Sequence, residues 1–232
     1  MKAVILAGGL GSRLKPFSRV IPKPLLPIGE SSVLETQILS LKKYGVTEVI
    51  IATNFLSDYI KAFLEGKKNY GINIQISKEM KPLGTCGPIT LFKDKLKEPF
   101  LLINGDILTT VDYEKFHDFA ININANLIIG TREIIAPFEF GKIVSDGDYI
   151  INVEEKPDLK MEILAGIYII KPPILEFIPE DTYYGIDSLI KDTIDKKMKV
   201  AKYAIKEYWL DIGRIDDYET AQEAYDKHFQ KN

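Results

Sequence analysis

An α/β protein with a parallel sheet covered on both faces is the fold class this sequence predicts, and three observations predict it. Short apolar runs alternate with amphipathic stretches through the first half of the chain. That rhythm belongs to strands joined by crossover helices. The 232 residues, 46% apolar and 27% charged, suffice for one substantial core. The first apolar run ends in a glycine-rich stretch with cations behind it, where open α/β sheets present their ligands beyond the strand carboxyl ends.

The elements follow in order. AVILA (3–7) is a buried strand. SVLETQILSLKKYG (32–45) is a helix with Ser32 as N-cap, Glu35 completing a capping box and Gly45 as stop. TEVIIAT (47–53) is a strand, LSDYIKAFLEG (56–66) a helix and INIQIS (72–77) a strand. PITLFKDKL (88–96) is a short helix and PFLLING (99–105) the next strand. Beyond residue 130 the rhythm changes. FGKIVSDGDYIINVEEK (140–156) reads as a hairpin around Asp146-Gly147, a common type I′ pair. EILAGIYIIK (162–171) is a strand and IDSLIKDTIDKK (186–197) a helix. KVAKYAI, a loop KEYWLDIG and a helix from about Ile215 to Phe229 follow, the boundaries being good to a few residues. No repeat or linker interrupts the chain, so 1–232 reads as one domain whose second half completes the sheet and walls a cleft.

Bulk properties exclude several classes. A net charge of −3 provides no global basic field, so nucleic acid is not an expected partner, while a local cationic site for a small anion remains open. The single cysteine, Cys86, allows no disulfide framework and suits a reducing cytoplasm. The apolar run after Met1-Lys2 is too short for a signal peptide or a membrane span. A cytoplasmic protein without membrane contact is expected.

In LAGGLGSRLKP (6–16), Gly8, Gly9 and Gly11 precede Arg13. Glycine admits positive φ and lets a ligand approach where a Cβ would stand, and the backbone amides of such a turn can face an anion. Arg13 adds a planar fork suited to phosphate oxygens. The spacing matches neither the dinucleotide fingerprint nor the Walker pattern. In RVIPKPLLPIG (19–29), prolines stiffen the segment that carries Lys23.

These two stretches together resemble the opening signature of the sugar-1-phosphate nucleotidyltransferases, also called nucleotide-sugar pyrophosphorylases. KPLGTCGP (81–88), LLINGD (101–106), VEEKP (153–157), AGIY (165–168) and YWLDIG (208–213) keep that family's order over nearly the whole chain. The resemblance is strongest to the mannose-1-phosphate guanylyltransferase branch and to short relatives acting on other hexose or heptose phosphates. It implies a Rossmann-like three-layer α/β/α nucleotidyltransferase domain with a mixed, mostly parallel central sheet. Residues 1–130 would form the nucleotide-binding half and 131–232 the sugar-binding half. The left-handed β-helix that many members carry after this domain is not expected within these 232 residues.

The implied chemistry is attack by a sugar 1-phosphate oxygen on the α-phosphorus of a nucleoside triphosphate, which releases pyrophosphate. By resemblance, Leu6, Gly8, Gly9, Gly11, Pro82, Gly84 and Thr85 line the nucleotide. Arg13 holds the leaving pyrophosphate, and Lys23 lies between the α-phosphate and the sugar phosphate. Asp106 and Asp211 hold Mg²⁺, with Asp106 also counted among the catalytic groups. Gly141, Glu155, Lys156 and Gly166 face the sugar phosphate. Where many relatives read Asn-Ala-Gly, this chain has Leu164-Ala165-Gly166, a departure that bears on the sugar's identity. Glu79 occupies the place where relatives using thymidine or uridine triphosphate carry a base-reading glutamine. A carboxylate only accepts, which matches the paired donors of guanine and favours GTP.

Use of UTP, dTTP or CTP, a non-sugar phosphate acceptor, and a catalytically silent regulator that binds a nucleotide sugar stay open as alternatives. Retention of Arg13, Lys23, Asp106 and Asp211 together argues against the silent form. The expected partners are the two substrates, with room for a homo-oligomer. His117 and His228, both on helical stretches, are assigned to solvent, Cys86 to small size and Trp209 to packing.

Overall fold

Burial on both faces shapes the central strands. In β1 (Lys2–Leu6), Ala3 and Ile5 enter one core and Val4 the other, so the strand is apolar without alternation. Burying a side chain such as Val4 or Ile5 contributes about 1.5–3 kcal/mol of transfer free energy. The computed structural model describes residues 1–66 and 70–230. After β1 come two short strands, β2 (Pro27–Ile28) and β3 (Ser31–Ser32), and helix α1 (Val33–Lys43). Ser32 caps α1 by accepting the Glu35 N–H at 3.1 Å, and Gly45 follows its end at φ +75°. β4 (Glu48–Thr53), α2 (Ser57–Gly66), β5 (Asn73–Lys78) and β6 (Phe100–Asn104) complete the first half.

The stretch expected as a short helix at 88–96 is a 3₁₀ segment, Gly87–Lys95, kinked at Phe92. β7 (Ile107–Thr109) and β8 (Leu127–Pro137) lie where no assignment was drawn from the sequence, and between them α3 (Tyr113–Asn122) gives bounds to the helical stretch expected around His117. Asp112 caps α3 by accepting the Lys115 N–H at 3.0 Å. The hairpin exists as β9 (Lys142–Asp146) and β10 (Tyr149–Glu154), but its turn differs from expectation. Asp146 pairs with Tyr149, so the loop is Gly147-Asp148, and only the glycine has positive φ. A type I′ turn needs both loop residues there; glycine first is the type II′ pattern. The remaining elements are β11 (Asp158–Ile170), α4 (Ile186–Asp195), β12 (Val200–Ala204), β13 (Trp209–Asp211) and α5 (Ile215–His228). β13 lies inside the segment expected as a loop; it forms because β7 offers it an antiparallel edge.

Seven strands make the central sheet, in the order β12-β8-β11-β6-β1-β4-β5. β6, β1, β4 and β5 run parallel, β12 runs parallel to β8, and β11 is antiparallel to both its neighbours. The sheet is mixed and mostly parallel, as expected. One face packs on α1, α2 and α3 through Leu34, Ile38, Ile60 and Phe116. The other packs on the 3₁₀ segment and α4 through Ile89, Phe92 and Leu189. A third cluster seats α5, through Ala221 and Tyr225, against Ile28, Leu108 and Ile212.

The β2–β3 turn meets α5 so closely that glycine is obligatory there. Gly29 has φ +52°, and a Cβ on it would stand 2.0 Å from Tyr225 Cδ1. Gly29→Ala should therefore lower stability by roughly 2–5 kcal/mol, combining backbone strain and overpacking. Gly66→Ala, with nothing within 4 Å of the added methyl, is the control and should change stability by under about 1 kcal/mol. Urea denaturation of the two variants measures the difference.

Candidate active site

Parallel order sends the carboxyl ends of β1, β4, β5 and β6 to one edge of the sheet, and the expected residues gather there. After β1, Gly8 is hemmed in: a Cβ on it would stand 2.8 Å from Glu79 Oε1 and 3.2 Å from Asn54 Cβ. Gly9 has open space instead, and Gly11 turns the chain at φ +58° into a 3₁₀ turn, Ser12–Leu14, that carries Arg13. The carbonyl of Leu6 accepts the Gly105 N–H at 2.9 Å, tying the glycine stretch to the end of β6.

The charged centre is a lysine between two aspartates. Lys23 Nζ bonds Asp106 Oδ2 and lies 4.0 Å from Asp211 Oδ1, with its side chain only 10% exposed. The prolines around it serve this placement, since Pro24 is buried and rigid beside the end of β6. Burial raises the Asp211 carboxyl above its usual range and the Asp106 charge adds to this, while Lys23 and Arg13 pull it back. Asp106 Oδ1 and Asp211 Oδ1 are both buried without a hydrogen-bond partner. Two orphaned carboxylate oxygens fit a hard cation such as Mg²⁺, which takes one or two carboxylates and fills its other positions with water or phosphate oxygens. Among the described residues no group of three or more His, Cys, Asp or Glu is placed to hold a metal, so any ion here would take its remaining ligands from water or substrate.

The β7–β13 ribbon brings the two aspartates together from positions 106 and 211. Asp211 pairs with Ile107, and the Ile212 N–H donates to the Asp106 carbonyl at 3.0 Å. Several supporting residues carried no sequence signal strong enough to single them out. Gly105 is required by space: a Cβ would stand 2.6 Å from the Leu6 carbonyl oxygen and 3.2 Å from Pro24. Buried Gln37, on α1, donates to the Asn104 and Ile107 carbonyls at 2.9 and 2.8 Å and so brackets Asp106. Asp217 accepts the Gly213 and Arg214 N–H groups at 3.0 and 2.7 Å, fixing the loop after Asp211. A Cβ on Gly213 would stand 3.4 Å from both Arg13 Nη1 and Asp217 Oδ2, so this loop also meets Arg13. The pairing of INGD with WLDIG was the available hint, but sequence spacing does not reveal contact.

Glu79 is buried beside the glycine stretch rather than in solvent. Its Oε2 accepts the Leu83 N–H at 2.9 Å, and burial raises its pKa against the pull of that amide. Gly84 has φ +80°, and a Cβ on it would meet the Tyr184 carbonyl oxygen at 2.7 Å. Thr85 has a structural partner: its hydroxyl accepts the Ile186 N–H at 2.7 Å at the start of α4. Pro82 is exposed in the same loop.

The residues expected to face the sugar fall in two places. Gly141, Glu155 and Lys156 lie exposed at the base of the β9–β10 hairpin, where a Cβ on Gly141 would be 3.4 Å from Glu155 Oε2. Gly166 sits at an irregularity in β11, at φ +70°, and a Cβ there would stand 2.7 Å from Asn104 Nδ2, two residues before Asp106. Trp209 does more than pack: its indole N–H donates to the Ala165 carbonyl at 2.8 Å, joining β13 to the Gly166 bend. Cys86 is fully buried, which fits the role of a small residue, and His228 is exposed while stacking on Tyr208 at 4.6 Å. His117 is half-buried, contrary to its assignment to solvent, because α3 lays it partly against the protein; burial lowers its pKa.

Removing Lys23 takes away the cation that lies between two partly buried carboxylates. Lys23→Met should cost roughly 1–3 kcal/mol, and Asp106→Asn in the same chain should recover most of it. Added Mg²⁺ should raise the melting temperature of Lys23→Met more than that of the double variant. Thermal denaturation with and without the cation measures both effects.

Residues 2–228 match the Nucleotidyl transferase family. The probable mannose-1-phosphate guanylyltransferase 1 of Oryza sativa is 32% identical over 97% of this chain. The mannose-1-phosphate guanyltransferase of Saccharomyces cerevisiae is 30% identical over 94%. The chain spans 64% and 63% of the lengths of these two relatives. Among solved structures, HddC from Yersinia pseudotuberculosis superposes with a TM-score of 0.75 at 31% identity, covering 97% of this chain and 99% of that one. It has also been solved complexed with GMP-PN. A Bacillus anthracis structure described as a putative glucose-1-phosphate thymidylyltransferase, 23% identical with a TM-score of 0.80 over 100% of this chain and 97% of that one, shares the fold. With the family matched from the first strand to the last helix, the chain belongs to the nucleotidyl transferases.

Proposed function

We propose that this protein transfers a nucleoside monophosphate from a nucleoside triphosphate, GTP by preference, to a sugar 1-phosphate. The observation that carries this reading is the Lys23–Asp106–Asp211 cluster, with two orphaned carboxylate oxygens, at the strand edge beside the glycine stretch. Two polyanions must meet there, so positioning and charge neutralisation dominate the chemistry. The amides of Gly8, Gly9 and Gly11 would cradle the triphosphate. A sugar 1-phosphate oxygen forms the new bond to the α-phosphorus as the α–β bridging bond breaks, and pyrophosphate leaves with the electron pair. Lys23 would sit between the α-phosphate and the incoming phosphate, with Arg13 against the departing pyrophosphate. Mg²⁺ held by Asp106 and Asp211 would neutralise phosphate charge. Gly141, Glu155, Lys156 and Gly166 would receive the sugar and its phosphate.

For the base, Glu79 is the discriminating residue. One oxygen is held by the Leu83 amide and the other lies toward Gly8. A carboxylate has about four lone-pair sites, so Oε2 can keep its amide donor while the carboxylate accepts guanine N1–H and N2–H in parallel. Uracil and thymine present one donor between carbonyls, which a carboxylate repels. The guanylyltransferase names of the curated relatives and the GMP-PN complex of HddC support the same choice.

The decisive experiment follows pyrophosphate release over a panel of triphosphates and sugar phosphates; no release with any pair would overturn the enzymatic reading. Lys23→Ala and Arg13→Ala should each lower kcat by roughly 10²–10³, and a change confined to KM would reduce them to binding residues. EDTA should abolish turnover, and Asp106→Asn should leave the fold intact while removing activity. GTP should exceed UTP in kcat/KM by about 10- to 100-fold, with Glu79→Gln erasing the difference. Only the ionised Glu79 accepts both guanine donors. The GTP-to-UTP ratio should therefore fall as pH drops through its raised pKa.

A further inference from the structure

The β9–β10 hairpin stands apart from the central sheet as a two-stranded ribbon, and its surface is unlike the rest. Ile143, Tyr149, Ile150, Ile151 and Val153 are each between 56% and 80% exposed. Soluble proteins seldom leave so many apolar side chains together in water, and an unguarded strand edge is a template for pairing. The two edges differ. β10 is interrupted by a bulge at Ile151, a device that blunts an edge. β9 is regular, and among the described residues its only strand partner is β10.

We propose that β9 pairs antiparallel with β9 of a second copy of this chain, about a two-fold axis through Val144. The sequence of the edge, Lys142-Ile143-Val144-Ser145-Asp146, is self-complementary in that register. Val144 meets its own copy, Ile143 meets Ser145, and Lys142 at one end meets Asp146 at the other, twice. Hydrogen-bond alternation agrees. With the two-residue loop closed by the Asp146–Tyr149 pair, the N–H and C=O of Ile143 and Ser145 point away from β10. These are the groups the register places opposite one another, giving four new backbone hydrogen bonds. Lys142 and Asp146 fall on non-hydrogen-bonded pairs, where side chains approach most closely. Lys142 already meets Glu154 at 3.1 Å, and among the described residues Asp146 has no ion pair, so each Asp146 extends that charge ladder. Isologous contact of this kind closes at two copies. It forms a four-stranded sheet in which Ile143, Ile150 and Val153 of both copies share a face. Gly141 and Glu155 flank the hairpin, so its rigidity passes to the residues proposed to hold the sugar phosphate. The dimer itself does not depend on which substrates bind.

An interface of this size sits at the weak end of specific association, so dissociation in the micromolar range is expected. Sedimentation velocity at low salt, from about 1 to 200 µM, should show the parent moving from monomer to dimer. Asp146→Lys puts Lys opposite Lys142, and Lys142→Asp puts Asp opposite Asp146; each variant alone should stay monomeric. Mixed in equal amounts, they should form a heterodimer. Amide hydrogen exchange supplies a second reading: Ile143 and Ser145 should be protected in the concentrated parent and unprotected in Asp146→Lys. A parent monomeric at 200 µM, a dimer indifferent to both substitutions, or absence of protection at these two amides would overturn the proposal.

Discussion

Three residues of ribbon hold the candidate site together. β7 and β13 are only three residues long each, yet their pairing draws the chain after residue 209 back to the end of β6. Without it Asp211 would have no fixed relation to Asp106. The Ile212 N–H on the Asp106 carbonyl, the amide of Gln37 on the carbonyls to either side, and Asp217 on the Gly213 and Arg214 amides then lock the two aspartates. Each bond is worth only about 1 kcal/mol net, but leaving a buried group such as the Gln37 amide unpaired costs more. The geometry is therefore set as a unit.

One lysine stands between two carboxylates at this centre, with Lys23 and Asp106 largely withdrawn from water and Asp211 partly so. Burial and the neighbouring carboxylate work against Asp211 ionising, and the nearby cations offset them. Such an arrangement contributes little to stability, because desolvation consumes the Coulombic gain. Its persistence is easier to understand as chemistry than as architecture. The orphaned oxygens of Asp106 and Asp211 point the same way, since native folds rarely leave buried acceptors unmet without a reason.

The two halves of the chain meet this centre differently. The side proposed to take the nucleotide is built from tight contacts on the sheet edge, where Gly8, Gly84 and Gly105 each lack room for a methyl. The side proposed to take the sugar is divided between Gly166, anchored through Ala165 and Trp209, and the exposed base of a hairpin that makes few contacts with the core. A site with one rigid wall and one loosely held wall gains from anything that braces the second.

The sequence by itself determined the strand–helix alternation, the parallel start of the sheet, the Ser32 cap and the glycine and proline turns that carry Arg13 and Lys23. All of these rest on local signals: periodicity, capping chemistry and glycine or proline at turns. It marked α3 only as a helical stretch around His117, it did not reveal β7 or β8, and it took β13 for a loop, because three-residue strands and half-exposed ones carry too few positions for a period to show. Nor did it separate Gly147-Asp148 from Asp146-Gly147 as the hairpin loop, since register is fixed by pairing across the ribbon. That Asp106 and Asp211 share one lysine, that Glu79 is buried against Gly8, and that Thr85 is bonded to the start of α4 were decided only by the tertiary structure. Contacts between residues a hundred positions apart depend on how elements pack, and packing energy is absent from any local stretch of the chain.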